Sequence, residues 1–227
     1  MPLATAMRRA FVALVAAAPI LSIAAPAAHF DSGAEGWSVV DFGCCSTDYV
    51  TPSTIFAANW HAAGGAPGGY IDFADPSSGS FYFAASSAFN GDLSAYLGGT
   101  LGFARKVTAP EGSVQWRDDP DVVIVSGGQS YVWRGPANPG ADWSTEQVTL
   151  RAAGWTIGGL GGPAVSDTAF AAALGKVSAL YVRGETINGI VETTALDKVQ
   201  ISAVPEPTAA LMLLTGLGVL ALRRRRG

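Results

Sequence analysis

Between residues 30 and 202 the chain changes character every few positions, with short runs of apolar and polar residues each closed by Gly, Pro, Ser or Asp. Alternation with a period of two turns every second side chain to the same face, so such runs predict strands. Gly69-Tyr70-Ile71-Asp72-Phe73 is one of them. Ser80-Phe81-Tyr82-Phe83-Ala84 carries aromatic residues on both faces, as a strand packed inside a sandwich does. Asp121-Val122-Val123-Ile124-Val125 is a continuous apolar run between Pro120 and Gly127, too short for an ordinary helix. Segments 129–134, 146–150, 179–183 and 196–202 bring the set to about eight strands. One stretch breaks the rhythm: Ser166-Asp167 reads as a helix cap, Phe170 and Leu174 fall four apart on one face, and Gly175 stops it. Many short strands, frequent turn residues and one short helix predict an all-β sandwich, and no internal repeat is visible.

The two ends follow different rules. Arg8 and Arg9, an apolar run over 10–25 and a small-residue stretch make residues 1–27 a secretory signal peptide, with the cut expected after Ala27 and with Ala25 and Ala27 as the small pair. The competing reading is an uncleaved anchoring helix, for which the run falls short of the ~20 residues of a span. At the other end Val204-Pro205-Glu206-Pro207 precedes an apolar run over 208–222 without a charge, and Arg223, Arg224, Arg225 and Arg226 follow. By the positive-inside rule those arginines stay on the cytoplasmic side and the rest of the chain lies outside. Motif, apolar helix and arginine cluster, in that order, resemble the PEP-CTERM sorting signal of Gram-negative bacteria. The resemblance implies an exosortase-type processing enzyme as partner, cleavage near the motif, and inner-membrane association through the tail before processing. Delivery to the cell surface or exopolysaccharide matrix follows from it. An ordinary tail anchor is the alternative.

Between these ends lies a body, residues 28–203, long enough for one domain with its own core. Six of the 14 basic residues and one of the 18 acidic ones lie in the ends, so the body keeps 8 and 17, a net charge of −9. That argues against nucleic acid and an anionic membrane surface as partners, since both demand basic patches. Cys44 and Cys45 are adjacent, so two free thiols, one intermolecular bond or a strained vicinal ring are open to them. The cysteines and the two histidines lack zinc-ligand spacing.

One body segment carries more than a pattern: SFYFAASSAFNGDLSAYLGGTLGF, residues 80–103. Tyr82, Phe83, Phe89, Gly91, Asp92, Ser94, Tyr96, Gly98, Gly99, Leu101 and Phe103 match the centre of the laminin B domain, also called laminin domain IV, which this chain resembles. Leu-Tyr-Val-Arg-Gly-Glu at 180–185 and Leu-Asp-Lys-Val at 196–199 are similar to its later strands, and Gly36-Trp37 to its opening. Ala85 stands where the family usually has proline, and Leu97 is one residue more than its turn usually holds. The resemblance implies a jelly-roll β-sandwich, here flanked by the N-terminal signal helix and the C-terminal apolar helix. It implies an extracellular assembly role and no enzyme.

Chemistry finds few footholds. A serine triad needs a histidine, and only His29 and His61 exist. A carboxylate pair for glycoside hydrolysis could come from Asp118, Asp119 and Asp121, although acids beside proline are usually solvated turns. Jelly rolls similar to this one often hold a structural calcium where the first strand meets the last, which designates Asp31 and Asp197 as side-chain ligands. Sugar stacking would use an exposed tryptophan. Trp60, Trp116, Trp133 and Trp143 are the candidates; Trp60 and His61 read as a loop, Trp133 as core. The leading expectation is a non-catalytic structural or adhesive matrix component. The alternative is a carbohydrate-binding module on exopolysaccharide, and a third is a hydrolase that depends on Asp119.

Overall fold

The computed structural model describes residues 24–43, 48–75, 79–113, 118–187 and 191–204. The apolar runs of both ends, Cys44, Cys45, Trp116 and the Pro-Glu-Pro motif lie outside them. In chain order the strands are β1 (Ala27–Ala28), β2 (Ser38–Asp41), β3 (Thr54–Ala57), β4 (Asn59–His61), β5 (Tyr70–Ala74), β6 (Phe81–Ala84) and β7 (Thr100–Thr108). They continue with β8 (Val122–Ser126), β9 (Gln129–Trp133), β10 (Ser144–Thr149), β11 (Trp155–Ile157), β12 (Val177–Arg183) and β13 (Thr193–Ser202). A single α-helix among the described residues, α1 (Asp167–Leu174), separates β11 from β12. Ser166 caps it by accepting from Ala169 N, and Gly175 closes it, as expected from the sequence.

Two antiparallel sheets result. The first runs β10-β7-β13-β5-β4, with β1 paired to β13; the second runs β11-β9-β8-β12-β6-β2-β3. Sequence neighbours such as β6 and β7 fall in different sheets, so crossing connections stitch the layers together as in a jelly roll. Between the sheets Phe81, Phe83, Leu101, Phe103, Val122, Ile124, Leu180, Val182 and Leu196 form the main core. A second apolar layer covers the outer face of the seven-stranded sheet, where Val123, Val125, Tyr82 and Tyr181 meet Phe42 and Tyr49 from the segment after β2. Phe42 lies 5.7 Å from Tyr82 and 5.5 Å from Tyr181, edge to face. This double cover explains why Phe81, Tyr82 and Phe83 are all fully buried and why β8 reads as unbroken apolar sequence.

Several strands were not foreseen. β7, nine residues long, is the centre of contact between β10 and β13, yet Gly102, Arg105 and Lys106 blur its alternation. β2, β3, β4 and β11 are short, and tertiary pairing rather than local pattern defines them. In β13 the register slips between Asp197 and Gln200, and Lys198 takes φ +51° there. That bulge turns the Asp197 carboxylate out of the ladder and towards the neighbouring loop.

Candidate functional site

The bulge creates the corner that brings Asp31, Asp197 and Trp60 to one loop. Asp197 is fully buried, and its Oδ1 accepts from Lys198 N at 2.6 Å while its Oδ2 accepts from Ala66 N at 2.6 Å. Burial pushes its carboxyl above the ordinary range, against the pull of both N–H donors and of the Lys198 and His29 charges. The loop held in this way, residues 62–69, also packs on the first turn of the domain. A Cβ on Gly69 would run into the Phe30 carbonyl, so only glycine fits there. The same loop brings Gly68 close to Asp31: a Cβ there would lie 3.0 Å from Asp31 Oδ1. Phe30 and Glu35 hold φ +55° and +50°, and Glu35 receives the His29 and Asp31 N–H groups at 3.2 Å each. Among the described residues, the three non-glycine positions with positive φ, Phe30, Glu35 and Lys198, all belong to this corner. Asp31 and Asp197 therefore flank one loop from two sides. No third His, Cys, Asp or Glu joins them in a metal-holding group among the described residues.

Trp60 and His61 lie beside the same loop, in strand β4 rather than in the loop expected from the sequence. Trp60 donates its indole N–H to Phe30 O at 2.7 Å and leaves its ring 41% exposed. His61 turns to the opposite face, where its Nε2 lies 2.8 Å from Asp72 Oδ2 and its ring stacks on Tyr70 at 4.5 Å and 13°. Asn59 Nδ2 donates to the other Asp72 oxygen at 3.1 Å. From the far side Lys106 Nζ sits 4.9 Å from the Tyr70 ring and 4.8 Å from the Trp143 ring. Trp143 in turn donates Nε1–H to Gly64 O at 2.9 Å. The result is a ladder, His61, Tyr70, Lys106, Trp143, laid across the outer face of the six-stranded sheet. Ala195, in register between Lys106 and Asp72, is small enough to pass beneath it. Since His61 and Lys106 approach Tyr70 from either side, that ring is packed, and Trp60 is the aromatic residue turned to solvent. Tyr70, Asp72 and Lys106 were missed as partners because they are distant in sequence. The tract Gly64-Gly65-Ala66-Pro67-Gly68-Gly69 was the available signal for a tightly packed loop.

The acids considered for catalysis have another use. Asp119 and Asp121 are buried, 7% and 0% exposed, and are not the solvated turn expected beside Pro120. Asp119 accepts from Tyr49 Oη at 3.1 Å and from Ser80 Oγ. Asp121 accepts from Arg105 Nη2 and from Gly135 N, both at 2.8 Å. Arg105 also binds Glu146 and the Arg183 carbonyl. A second acidic group lies at this end: Asp75, Glu185 and Glu192, all buried. Thr186 N, Thr186 Oγ1 and Ile187 N converge on Glu192. Glu185 Oε2 has no hydrogen-bond partner among the described residues, and burial, Glu192 and Asp75 push its carboxyl up to about 9. Through Arg105, Asp121 ties β7 of one sheet to the start of β8 in the other, and Asp119 ties Tyr49 and Ser80 to the same segment. Trp133 is half-buried against the main core, close to expectation.

Fold and site together define a jelly-roll β-sandwich module whose buried acids are used for cohesion. The chain matches the family described as Laminin B (Domain IV) over residues 82–211, more than half its length, and it belongs to that family. The L4b domain of human laminin alpha-2 shares the fold with a TM-score of 0.58 at 14% identity, over 74% of this chain and 90% of that one. The family 11 carbohydrate-binding module of the cellulosomal cellulase Lic26A-Cel5E of Clostridium thermocellum gives 0.51 at 12% identity, over 82% and 98%. No curated protein matches the chain in sequence. Among the described residues no helix is long and apolar enough to cross a membrane.

Proposed function

We propose that this chain is an exported, non-catalytic module of the cell surface or extracellular matrix that acts as a structural or adhesive component. Membership of the laminin B family carries the reading. The inward-turned Asp119 and Asp121 support it, because a general acid or base must reach the substrate. Residues 204–227, all but Val204 outside the described residues, serve on this reading as the sorting signal for an exosortase-type enzyme. The test is the native bacterium: loss of the gene should weaken surface or matrix cohesion, and the wild-type body should appear outside the inner membrane without its arginine tail. A body that stays in the cytoplasm would sink the reading.

A second reading is favoured by one observation, the exposed Trp60 ring at the rim of the corner. Here the module binds exopolysaccharide by stacking a sugar on Trp60, as tryptophan faces permit. The likeness to a family 11 carbohydrate-binding module supports the fold this would need. A glycan array probed with the wild-type protein and with Trp60→Ala tests it. We further propose a structural calcium between Asp31 and Asp197, with backbone carbonyls of the corner completing its oxygen shell.

A further inference from the structure

The chain leaves its last strand beside a small pocket. Beyond Ser202, the end of β13, residues 202–204 run across Gly98 and Gly99. A Cβ on Gly99 would run into Ser202 O, and one on Gly98 would lie 3.4 Å from Val204 Cγ2 and 3.5 Å from Arg151 Nε. The glycines thus form a floor on which the departing chain lies flat, and Val204 and Arg151 meet over the same position. The adjoining pocket, about 290 Å³, is lined by Leu97, Gly98, Arg151, Ala152 and Asp167. Leu97 and Val204 are 45% and 47% exposed, an apolar lip of two residues. Leu97 is also the residue by which this turn exceeds the laminin B pattern. Among the described residues no carboxylate pairs with Arg151.

The sequence that follows Val204 is Pro-Glu-Pro. A proline restricts its own φ and disfavours the helical region for the residue before it, so a Val-Pro-Glu-Pro sequence has little freedom to lose on docking. Two residues of extended chain span roughly 6–7 Å, so an acid two positions beyond Val204 would be within reach of the guanidinium beside Val204. Arginine is the cation best shaped for a carboxylate. Asp167, the first residue of α1, lines the pocket as well, so an incoming acid must approach from the Arg151 side.

We propose that Pro205-Glu206-Pro207 docks on this pocket, with the Glu206 carboxylate on Arg151 and a proline against Leu97, so that the folded body itself presents the motif to the processing enzyme. The proposal rests on the reading of the tail as a sorting signal. The enzyme would then recognise a composite surface, motif plus collar, rather than a free peptide.

The experiment uses the full-length chain in detergent micelles, carrying Arg151→Lys and treated with a zero-length carbodiimide. Docking predicts an amide between the new amine at 151 and the Glu206 carboxyl, found by peptide mass mapping and lost when Glu206→Gln is added. Its absence in a protein of unchanged melting temperature overturns the docking. In the exporting host, Arg151→Glu should lower the fraction of chains that lose the tail several-fold; an unchanged fraction overturns presentation by the collar. If wild-type chains never lose the tail while the amide still forms, the sorting reading falls and the docked contact stands.

Discussion

Arg105, in the middle of β7, donates through Nη2 to Asp121 Oδ1 at 2.8 Å across the gap between the sheets, and both side chains are fully buried. An inward-facing arginine in a sandwich core needs acceptors for most of its donors. Glu146 accepts from Nε and Nη2, and the Arg183 carbonyl from Nη1. Removing Asp121 leaves buried Arg105 with Glu146 as its one remaining carboxylate and Gly135 N without its acceptor, so Asp121→Ala should cost about 3 kcal/mol. In a domain of this size that lowers the melting temperature by roughly 10 °C, measurable by calorimetry. A drop of only a degree or two would show that water or another acid replaces Asp121.

Glu185 sets a pH dependence. Its carboxyl, normally at 4.5, is held at about 9 in the folded protein by burial first and then by Glu192 and Asp75. The folded state therefore keeps a proton that the unfolded chain releases, and this contribution to stability is lost as pH rises from about 4.5 to about 9. Melting temperature should fall across that window, and Glu185→Gln, which stays neutral, should flatten the fall. An equally steep curve in the variant would place the dependence elsewhere.

Asp197 and Asp31 differ in what they hold. Asp197→Ala removes the acceptor for Ala66 N and Lys198 N and should destabilise by about 1–3 kcal/mol even without metal. Asp31 is exposed, and Asp31→Ala should leave the metal-free protein unchanged. If calcium binds, millimolar calcium raises the wild-type melting temperature, chelation reverses it, and Asp31→Ala removes the response. No shift on chelation removes the calcium proposal.

Trp60 and Tyr70 should separate binding from architecture. Trp60→Ala loses one hydrogen bond and the buried part of a large side chain, so about 2–3 kcal/mol of stability, together with any sugar affinity. Tyr70→Ala breaks the ladder between His61 and Lys106 and should cost more stability. Sugar retention by Trp60→Ala, followed on the same glycan array, would end the stacking reading.

Much of the architecture was legible because it is local. The two-residue period of β5, the aromatic run of β6 and the cap, face and stop of α1 each depend on neighbours within one turn or one pleat. β7 escaped because an inward Arg105 looks polar in sequence, and its apolar partners supply no local clue. Trp60 and His61 read as loop residues because the strand holding them is three residues long and exists only through β5.

By itself, then, the sequence determined the class of fold, through the alternation of its body and the turn residues between runs, and marked both ends as different in kind. Tertiary structure alone decided which acids are surface and which are scaffold. Asp119 meets Tyr49 across 70 residues, and Asp197 meets Ala66 across 131. An aspartate carries no local sign of whether such a partner will arrive, because its burial is tolerable only once distant donors have been brought to it.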